Sequence, residues 1–431
     1  MIRSAEDYLW GSRIGYLYQR DNEDYPKFEY DKAFINSGIE VSPFIMPLGD
    51  TVYSFPSLMK TDAFRGLPGL VADSLPDRFG NAVIEKWLAA QGRSIDSFTP
   101  IERLCYTGTR GMGALEYVPS SSPQFQNNDI DINEMVSLAS DILTDKSSIE
   151  LSGKMASLQQ LMSIGSSAGG ARPKAVVAIN EKTGKIKSGQ IDAGDGYDYW
   201  LLKFDGVTNA GDYGVTDPKQ FTKIEYAYYL MAKDADITMS ECKLLEKEGR
   251  FHFMTKRFDR IGCEKIHMQT LAALAHYDYN IPRLCSYEKY ADISKRLGLG
   301  LGDIKQIYKR MVFSVLACNC DDHVKNFSYL MNRNGDWSLS PAYDITFAYN
   351  PTNKWLSEHQ MTINNKSTGI SCEDLIQSGK AMGLPVDFCK KTIRAISIIV
   401  NNWPVYADRC NIDEERAESI NNILNITNST I

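Results

Sequence analysis

Residues 321–326, Asp-Asp-His-Val-Lys-Asn, bring two carboxylates, an imidazole, an ammonium and a carboxamide into one short stretch with apolar sequence on either side. The step from Asp321 to Asn326 is the one at which a kinase catalytic loop carries its two working groups. A carboxylate there orients or accepts the proton of an acceptor hydroxyl, and an amide oxygen holds magnesium. Asp322 rivals Asp321 for the first role; the spacing to Asn326 favours Asp321. Lys325 could neutralise charge on a phosphoryl group in transit. Asp344, after a predicted strand in SLSPAYDITF, offers the second oxygen ligand that Mg²⁺ would need. His323 reads as a structural residue that holds the loop by hydrogen bonds beside the nucleotide. The run CNCDDH also suggests zinc on Cys318, Cys320 and His323, but no further CxxC or HxxxH pair supplies the remaining ligands.

Phosphoryl chemistry needs a grip on phosphate, and three earlier features fit one. SIGSSAGGARPKA (163–175) is a small-residue loop opening into a strand. At Ser167, Ala168, Gly169 and Gly170 its backbone N–H groups can approach phosphate closely, and Lys174 can add a contact. Lys203 ends the apolar strand YWLLKF, and Glu225 in the next helix could pair with it. RFHFMTKRFDR is a strand leading to where adenine would sit, with backbone groups of Lys256 and Phe258 at the base edge. The KRFDR side chains fit a surface Arg/Asp pair equally well. Singly, each feature is as consistent with a turn, a solvated strand end or a helix cap. Their order along the chain is that of a protein kinase: loop, strand lysine, helix glutamate, connecting strand, Asp/Asn loop, metal carboxylate.

The elements that must position these groups are legible in outline. Residues 1–60 predict a small β unit of short apolar runs between turns. A helix follows, ending near Gly92, and then TPIERLCYTGTRGMGALEYVP as a helix, a Gly-rich loop and a strand. VPSSSPQFQNNDIDINE (118–134) is the best candidate linker, and EMVSLASDIL after it predicts a helix. KAVVAINEKTGKIKSGQI predicts two strands around a Thr-Gly turn, and YDYWLLKFDG a third. The next helix takes Asp217 as its cap and Pro218 in its first turn, with Phe221, Ile224, Tyr228 and Met231 along one stripe. From about residue 268 onward the pattern is mostly helical. The expected class is α+β, a protein-kinase-like fold with a β-rich N-lobe and a helical C-lobe behind an N-terminal β/α subdomain. The expected units are 1–125, 126–260 and 261–431.

Composition narrows the setting. A chain of 431 residues with 43% apolar content is long enough for two or three cores. A net charge of −7 gives no global field favouring nucleic acid or anionic membrane. The nine cysteines are scattered with no CxxC pair, which predicts free thiols in a reducing cytoplasm. The first residues, MIRSAEDYLWGSRIG, lack the apolar core of a signal peptide, and no apolar run suits a membrane span.

The sequence resembles the HipA family of bacterial serine/threonine kinases over nearly its whole length. The motifs that carry the likeness are FRGLPGLVADSLPDRFG (64–80), SSAGGARPKA (166–175), WLLKF (200–204), KRFDR (256–260), DDHVKNFS (321–328) and LSPAYDI (339–345). The resemblance implies Asp321 as catalytic base, Asn326 and Asp344 as Mg²⁺ ligands, Lys203 on the ATP phosphates and the loop around Ser167 to Gly170 above them. It implies autophosphorylation of Ser166, with Ser163 and Ser167 as rivals; a phosphate there would eject the loop and switch the enzyme off. It also implies a small helix-turn-helix antitoxin of the HipB kind, operator DNA reached through that antitoxin, and a protein substrate among the aminoacyl-tRNA synthetases. In the best-known relative the substrate is glutamyl-tRNA synthetase, and its phosphorylation stops growth. Asp344 is followed by Ile-Thr, and Lys256 stands where some members have an acidic residue, which bears on nucleotide preference. Two other readings compete: a small-molecule kinase built on the same Asp/Asn logic, and a non-catalytic corepressor acting with an antitoxin.

Overall fold

The computed structural model describes residues 2–121, 128–143, 155–165, 172–207 and 220–429. The first sheet comprises β1 (Ser4–Leu9), β2 (Ser12–Tyr18), β3 (Lys27–Tyr30), β4 (Val52–Ser54) and β5 (Leu115–Val118), antiparallel in the order β4-β3-β2-β1-β5. Alternation along β1 turns Ala5, Asp7 and Leu9 inward. Asp7 is thus fully buried among apolar neighbours, and neither carboxyl oxygen has a hydrogen-bond partner. Burial pushes its carboxyl well above the ordinary range, so the folded chain holds it neutral. The unfolded chain releases that proton near pH 4, at about 3.9. A raised carboxyl favours the fold fully below that value and loses the contribution as pH rises. Asp7→Asn should raise the melting temperature at pH 7 and leave it little changed at pH 4, a gain at pH 7 of about 1–3 kcal/mol. Calorimetry at the two pH values checks this; an equal gain at both would refute it.

The second sheet holds β6 (Lys174–Asn180), β7 (Lys185–Ser188), β8 (Asp198–Lys203), β9 (Cys242–Lys247) and β10 (Arg250–Lys256) in the order β7-β6-β8-β10-β9, again antiparallel. In β8, Trp200 and Leu202 enter the core, leaving Leu201 and Lys203 on the other face. The helix Phe221–Asp234 buries Phe221, Ile224, Tyr228 and Met231. Its predicted cap, Asp217 with Pro218, lies outside the described residues.

The predicted linker is only partly a linker. The Ile130 N–H donates to the Ile186 carbonyl at 2.8 Å, and Ile132, buried, opens the helix Ile132–Leu143. Two apolar side chains in the polar stretch were enough to dock its second half on β7. Helices Arg78–Ala89 and Pro100–Thr107 also send Phe79, Ile84 and Tyr106 into the core under the second sheet.

The C-terminal part is largely helical, built on Tyr287–Arg296, Leu301–Leu316, Cys372–Ala381, Val386–Asn401, Trp403–Arg409 and Glu414–Ser429. It is not wholly so. After a hairpin of β11 (Arg260–Ile261) and β12 (Glu264–Lys265), the strands β13 (His267–Thr270), β14 (Ser328–Met331) and β15 (Trp337–Leu339) form a sheet in the order β13-β14-β15. These strands are too short to show a period in sequence, and pairing between distant segments creates them. No helix among the described residues is long and apolar enough to cross a membrane.

Candidate active site

A cleft of about 870 Å³, open to solvent, runs between the second sheet and the helical part. Leu201 and Lys203 line its roof, Met268 and Tyr343 its floor, and Asp73 and Ser74 of the N-terminal part close one side. Lys203 Nζ lies 2.6 Å from Glu225 Oε1 and also contacts Asp344 Oδ1, so the strand lysine bridges two carboxylates distant in sequence. Burial alone would pull the Lys203 ammonium down; Asp344 and Glu225 outweigh it and hold it protonated. Burial pushes Asp344 up, but Lys203 and then Lys174 hold it well below the usual carboxylate range. Burial raises Glu225. Lys174, 2% exposed, sits directly opposite Lys203 in the β6–β8 ladder. Like charges facing each other across a ladder are destabilising unless anions compensate them.

The loop 321–326 is set by its surroundings. The helix Leu301–Leu316 ends ahead of Cys318, whose φ of 53° turns the chain. Ala348 then brackets the loop's start: its N–H donates to the Cys318 carbonyl and its carbonyl accepts from the Cys320 N–H, both at 3.1 Å. The Asn326 Nδ2 donates to the Asp321 carbonyl at 2.8 Å, which leaves the amide oxygen for another partner. The Tyr343 hydroxyl donates to the Lys325 carbonyl at 2.8 Å. Lys325 Nζ lies 4.9 Å from the centre of the Tyr279 ring and forms no ion pair among the described residues, though it lines the cleft beside Asp73. Asp344 is held at φ 54°, a left-handed conformation uncommon outside glycine and found at strained functional positions.

Asp321, Asn326 and Asp344 line one small cavity adjoining the cleft. Among the described residues no group of three His, Cys, Asp or Glu side chains could hold a metal ion. That leaves no zinc site at Cys318, Cys320 and His323; Cys318 Sγ lies instead 3.2 Å from Thr427 Oγ1. A carboxylate and an amide oxygen with further positions open do suit Mg²⁺, which keeps water and phosphate oxygens among its ligands.

Other predicted residues fall as follows. Asp322, the rival of Asp321, is 1% exposed, whereas the Asp321 side chain is 38% exposed. His323 holds the loop through its backbone, its carbonyl accepting from the Asn326 N–H at 2.9 Å, and not through its ring. Its Nδ1 is buried without a partner, its Nε2 lies 3.9 Å from Asp321 Oδ1, and its ring packs near Tyr279. The Lys256 N–H is taken by the Glu241 carbonyl at 2.8 Å, and its ammonium pairs with Asp198 at 2.8 Å, so that side chain is turned onto the sheet. Phe258 lines the cleft, its ring 5.7 Å from that of Tyr343. Ser166, Ser167, Ala168, Gly169 and Gly170 lie outside the described residues. Ser163 ends up inside, 4% exposed at the end of the helix Met155–Ile164, its hydroxyl donating to the Gln160 carbonyl at 2.6 Å.

Sequence reasoning missed two groups. The KRFDR pair is not at the surface. Arg257 grips Asp259 in a two-pronged pair at 2.8 and 2.6 Å, and Arg260 adds a third contact at 2.8 Å, all buried. Gly113, in the loop ahead of β5, donates its N–H to Asp259 Oδ2 at 2.7 Å and gives its carbonyl to Arg260 at 2.9 Å. A β-carbon there would lie 2.9 Å from the Met268 backbone N, at a φ of +73°, so only glycine fits. The second group is Asp73, which accepts from the Thr270 N–H and hydroxyl at 2.7 and 2.8 Å and brings the N-terminal part to the cleft wall. The alternation of charges in KRFDR and the Asp in VADSLPD were the available signals.

Residues 166–403 match the model of the HipA-like C-terminal domain, and residues 5–118 that of the HipA N-terminal domain. The chain belongs to the HipA family. Its fold is shared with a chain of the Shewanella oneidensis MR-1 toxin–antitoxin complex of HipA, HipB and operator DNA, at a TM-score of 0.68 and 16% identity over 99% of this chain and 96% of that one. The α+β arrangement expected from the sequence is therefore the fold this chain shares with that one. Two curated relatives carry the name "putative kinase". One, Y4dM of Sinorhizobium fredii, is 28% identical over 137 residues, 28% of this chain and 32% of that one. The other, from Haemophilus influenzae, is 26% identical over 160 residues, 33% of this chain and 47% of that one. The chain thus matches less than half the length of either relative.

Proposed function

We propose that this HipA-family chain is an ATP- and Mg²⁺-dependent serine/threonine protein kinase acting as the toxin of a toxin–antitoxin pair. The observation that carries the reading is Lys203, held between Glu225 and Asp344 in a cleft whose neighbouring cavity collects Asp321 and Asn326. Lys203 and Lys174 would grip the triphosphate, and the Phe258 backbone would meet the adenine edge beside the Lys256 carbonyl. Asn326 and Asp344 would hold Mg²⁺, which when bound neutralises charge on the phosphates. Asp321 would orient the acceptor hydroxyl and take its proton as that oxygen bonds to the γ-phosphorus and the bond to ADP breaks. Lys325, half-buried and in no ion pair among the described residues, would face the charge on the phosphoryl group in transit. Most of the acceleration then comes from positioning and charge neutralisation.

The likeness to a HipA chain solved with HipB and operator DNA supports an antitoxin and operator DNA as partners. An aminoacyl-tRNA synthetase is the proposed protein substrate, and Ser166 the proposed site of self-phosphorylation, since Ser163 is buried and already bonded. The test incubates phosphate-free protein with labelled ATP, with Mg²⁺ or with EDTA, and maps phosphate by mass spectrometry. Label on Ser166 or Ser167 that EDTA abolishes is expected. No label on the chain or on a panel of aminoacyl-tRNA synthetases, with ATP binding intact, would overturn the reading, and label on small alcohols alone would favour a small-molecule kinase. Lys325→Met should lower kcat about 100-fold and leave ATP affinity within about threefold, because its partner is a charge of the transition state. Single-turnover kinetics with a nucleotide-binding titration separate the two.

A further inference from the structure

Asp322 is the carboxylate of the 321–326 loop that the proposed chemistry does not use, yet three donors converge on it. The Tyr287 hydroxyl and His359 Nδ1 each lie 2.9 Å away, and the Gln360 N–H donates at 2.7 Å. Tyr287 is fixed in the helical core. His359 and Gln360 belong to the segment that follows Asp344, and that segment is tied at both ends to the frame of the loop. Ala348 brackets the loop's start. At the other end the Thr362 N–H donates to the Cys285 carbonyl at 3.1 Å, and its carbonyl accepts from the Tyr287 N–H at 3.0 Å. Arg283 adds a bond to the Gln360 carbonyl at 2.7 Å and an ion pair with Glu358 at 2.9 Å.

Asp322 is thus the side chain of the loop that holds this segment close to its tie at Thr362, one residue from Asp321. The segment keeps clear of the cleft that holds Lys203 and Phe258: no residue of 345–363 lines it. Asp322 lines the other cavity, with Asp321, Asn326 and Asp344. In many kinases the corresponding ordering needs an added phosphate, whose charge draws a segment into place. Here a fixed carboxylate with three hydrogen bonds supplies it.

We infer that Asp322 is a positioning residue for the acceptor side of transfer: it holds the His359–Gln360 segment where the polypeptide bearing the acceptor hydroxyl must lie against Asp321. The acceptor role rests on the kinase reading above; the clamp does not. Three variants test it: Asp322→Ala, the conservative Asp322→Asn, and His359→Ala, which removes one bond from the segment's side should the first variant not fold. Hydrogen exchange of the full-length protein reads the clamp, and amide exchange over residues 357–363 should rise at least about tenfold in Asp322→Ala. With a synthetic peptide of residues 160–175 as acceptor, KM for the peptide should rise about tenfold or more while KM for ATP stays within about twofold. Asp322→Asn should recover most of both effects. Unchanged exchange would overturn the clamp. A parallel loss of ATP affinity would overturn the acceptor role and make Asp322 a general support of the site. If the wild type labels neither itself, the peptide nor the synthetase panel while still binding ATP, the kinase reading fails and takes the acceptor role with it, while the exchange measurement still decides the clamp.

Discussion

Asp321→Asn is expected to lower phosphoryl transfer about 1,000-fold, within the range of removing a general base, while ATP–Mg²⁺ binding stays within about threefold of wild type. The split follows from where the carboxylate stands. Asp321 lines the small cavity with Asn326 and Asp344 and is absent from the cleft wall formed by Leu201, Lys203 and Phe258. Asparagine keeps the shape and leaves the Asn326 bond to the residue-321 carbonyl untouched, because that bond uses the backbone. What disappears is the carboxylate proposed to take the proton. Rapid-quench measurement of transfer, beside calorimetric titration with ATP–Mg²⁺, checks the prediction. Equal losses in transfer and binding would move Asp321 to the nucleotide side, and full retention of transfer would remove it from the chemistry.

Asp259→Ala is expected to cost about 3–5 kcal/mol of stability, enough to unfold many domains, since it leaves two buried guanidinium groups without their carboxylate. Arg257, Arg260 and the Gly113 N–H all converge on this side chain. Burial alone would raise the Asp259 carboxyl, but Arg257 and Arg260 outweigh it and hold it far below the usual range. A depressed carboxyl contributes stability that is complete above its unfolded value, about pH 4, and fades as pH falls below it. Urea titrations of wild type and variant at pH 7 and pH 3 should therefore differ most at pH 7. A loss under about 1 kcal/mol at pH 7 would show that the arginines find other partners.

The site was legible in the sequence where its logic is a fixed step along the chain. The step from Asp321 to Asn326 survives any detail of packing because one short turn carries both. Lys203 and Glu225 lie on a strand and the helix after it, where alternation and helical spacing dictate facing. What was not legible depends on contacts between distant segments. KRFDR looks like surface charge until Gly113 is known to lie against it. Asp73 carries no local signal of its partner in VADSLPD until Thr270 meets it. The β13-β14-β15 sheet pairs residues near 268 with residues near 330 and leaves no local periodicity. The His323 ring departs for a related reason: imidazole in a polar loop suggests hydrogen bonding, but the groups beside it are the Tyr279 ring and, at 3.9 Å, Asp321 Oδ1, and only its backbone carbonyl bonds within the loop.

The boundary between the N-terminal sheet and the rest of the molecule has no slack at Gly113. Both its amide and its carbonyl are committed to Asp259 and Arg260, and its backbone presses on Met268 where no larger residue could stand. Connections between folded units often act as joints. This one is closer to a weld, fixing the first sheet against the strand end that borders the cleft.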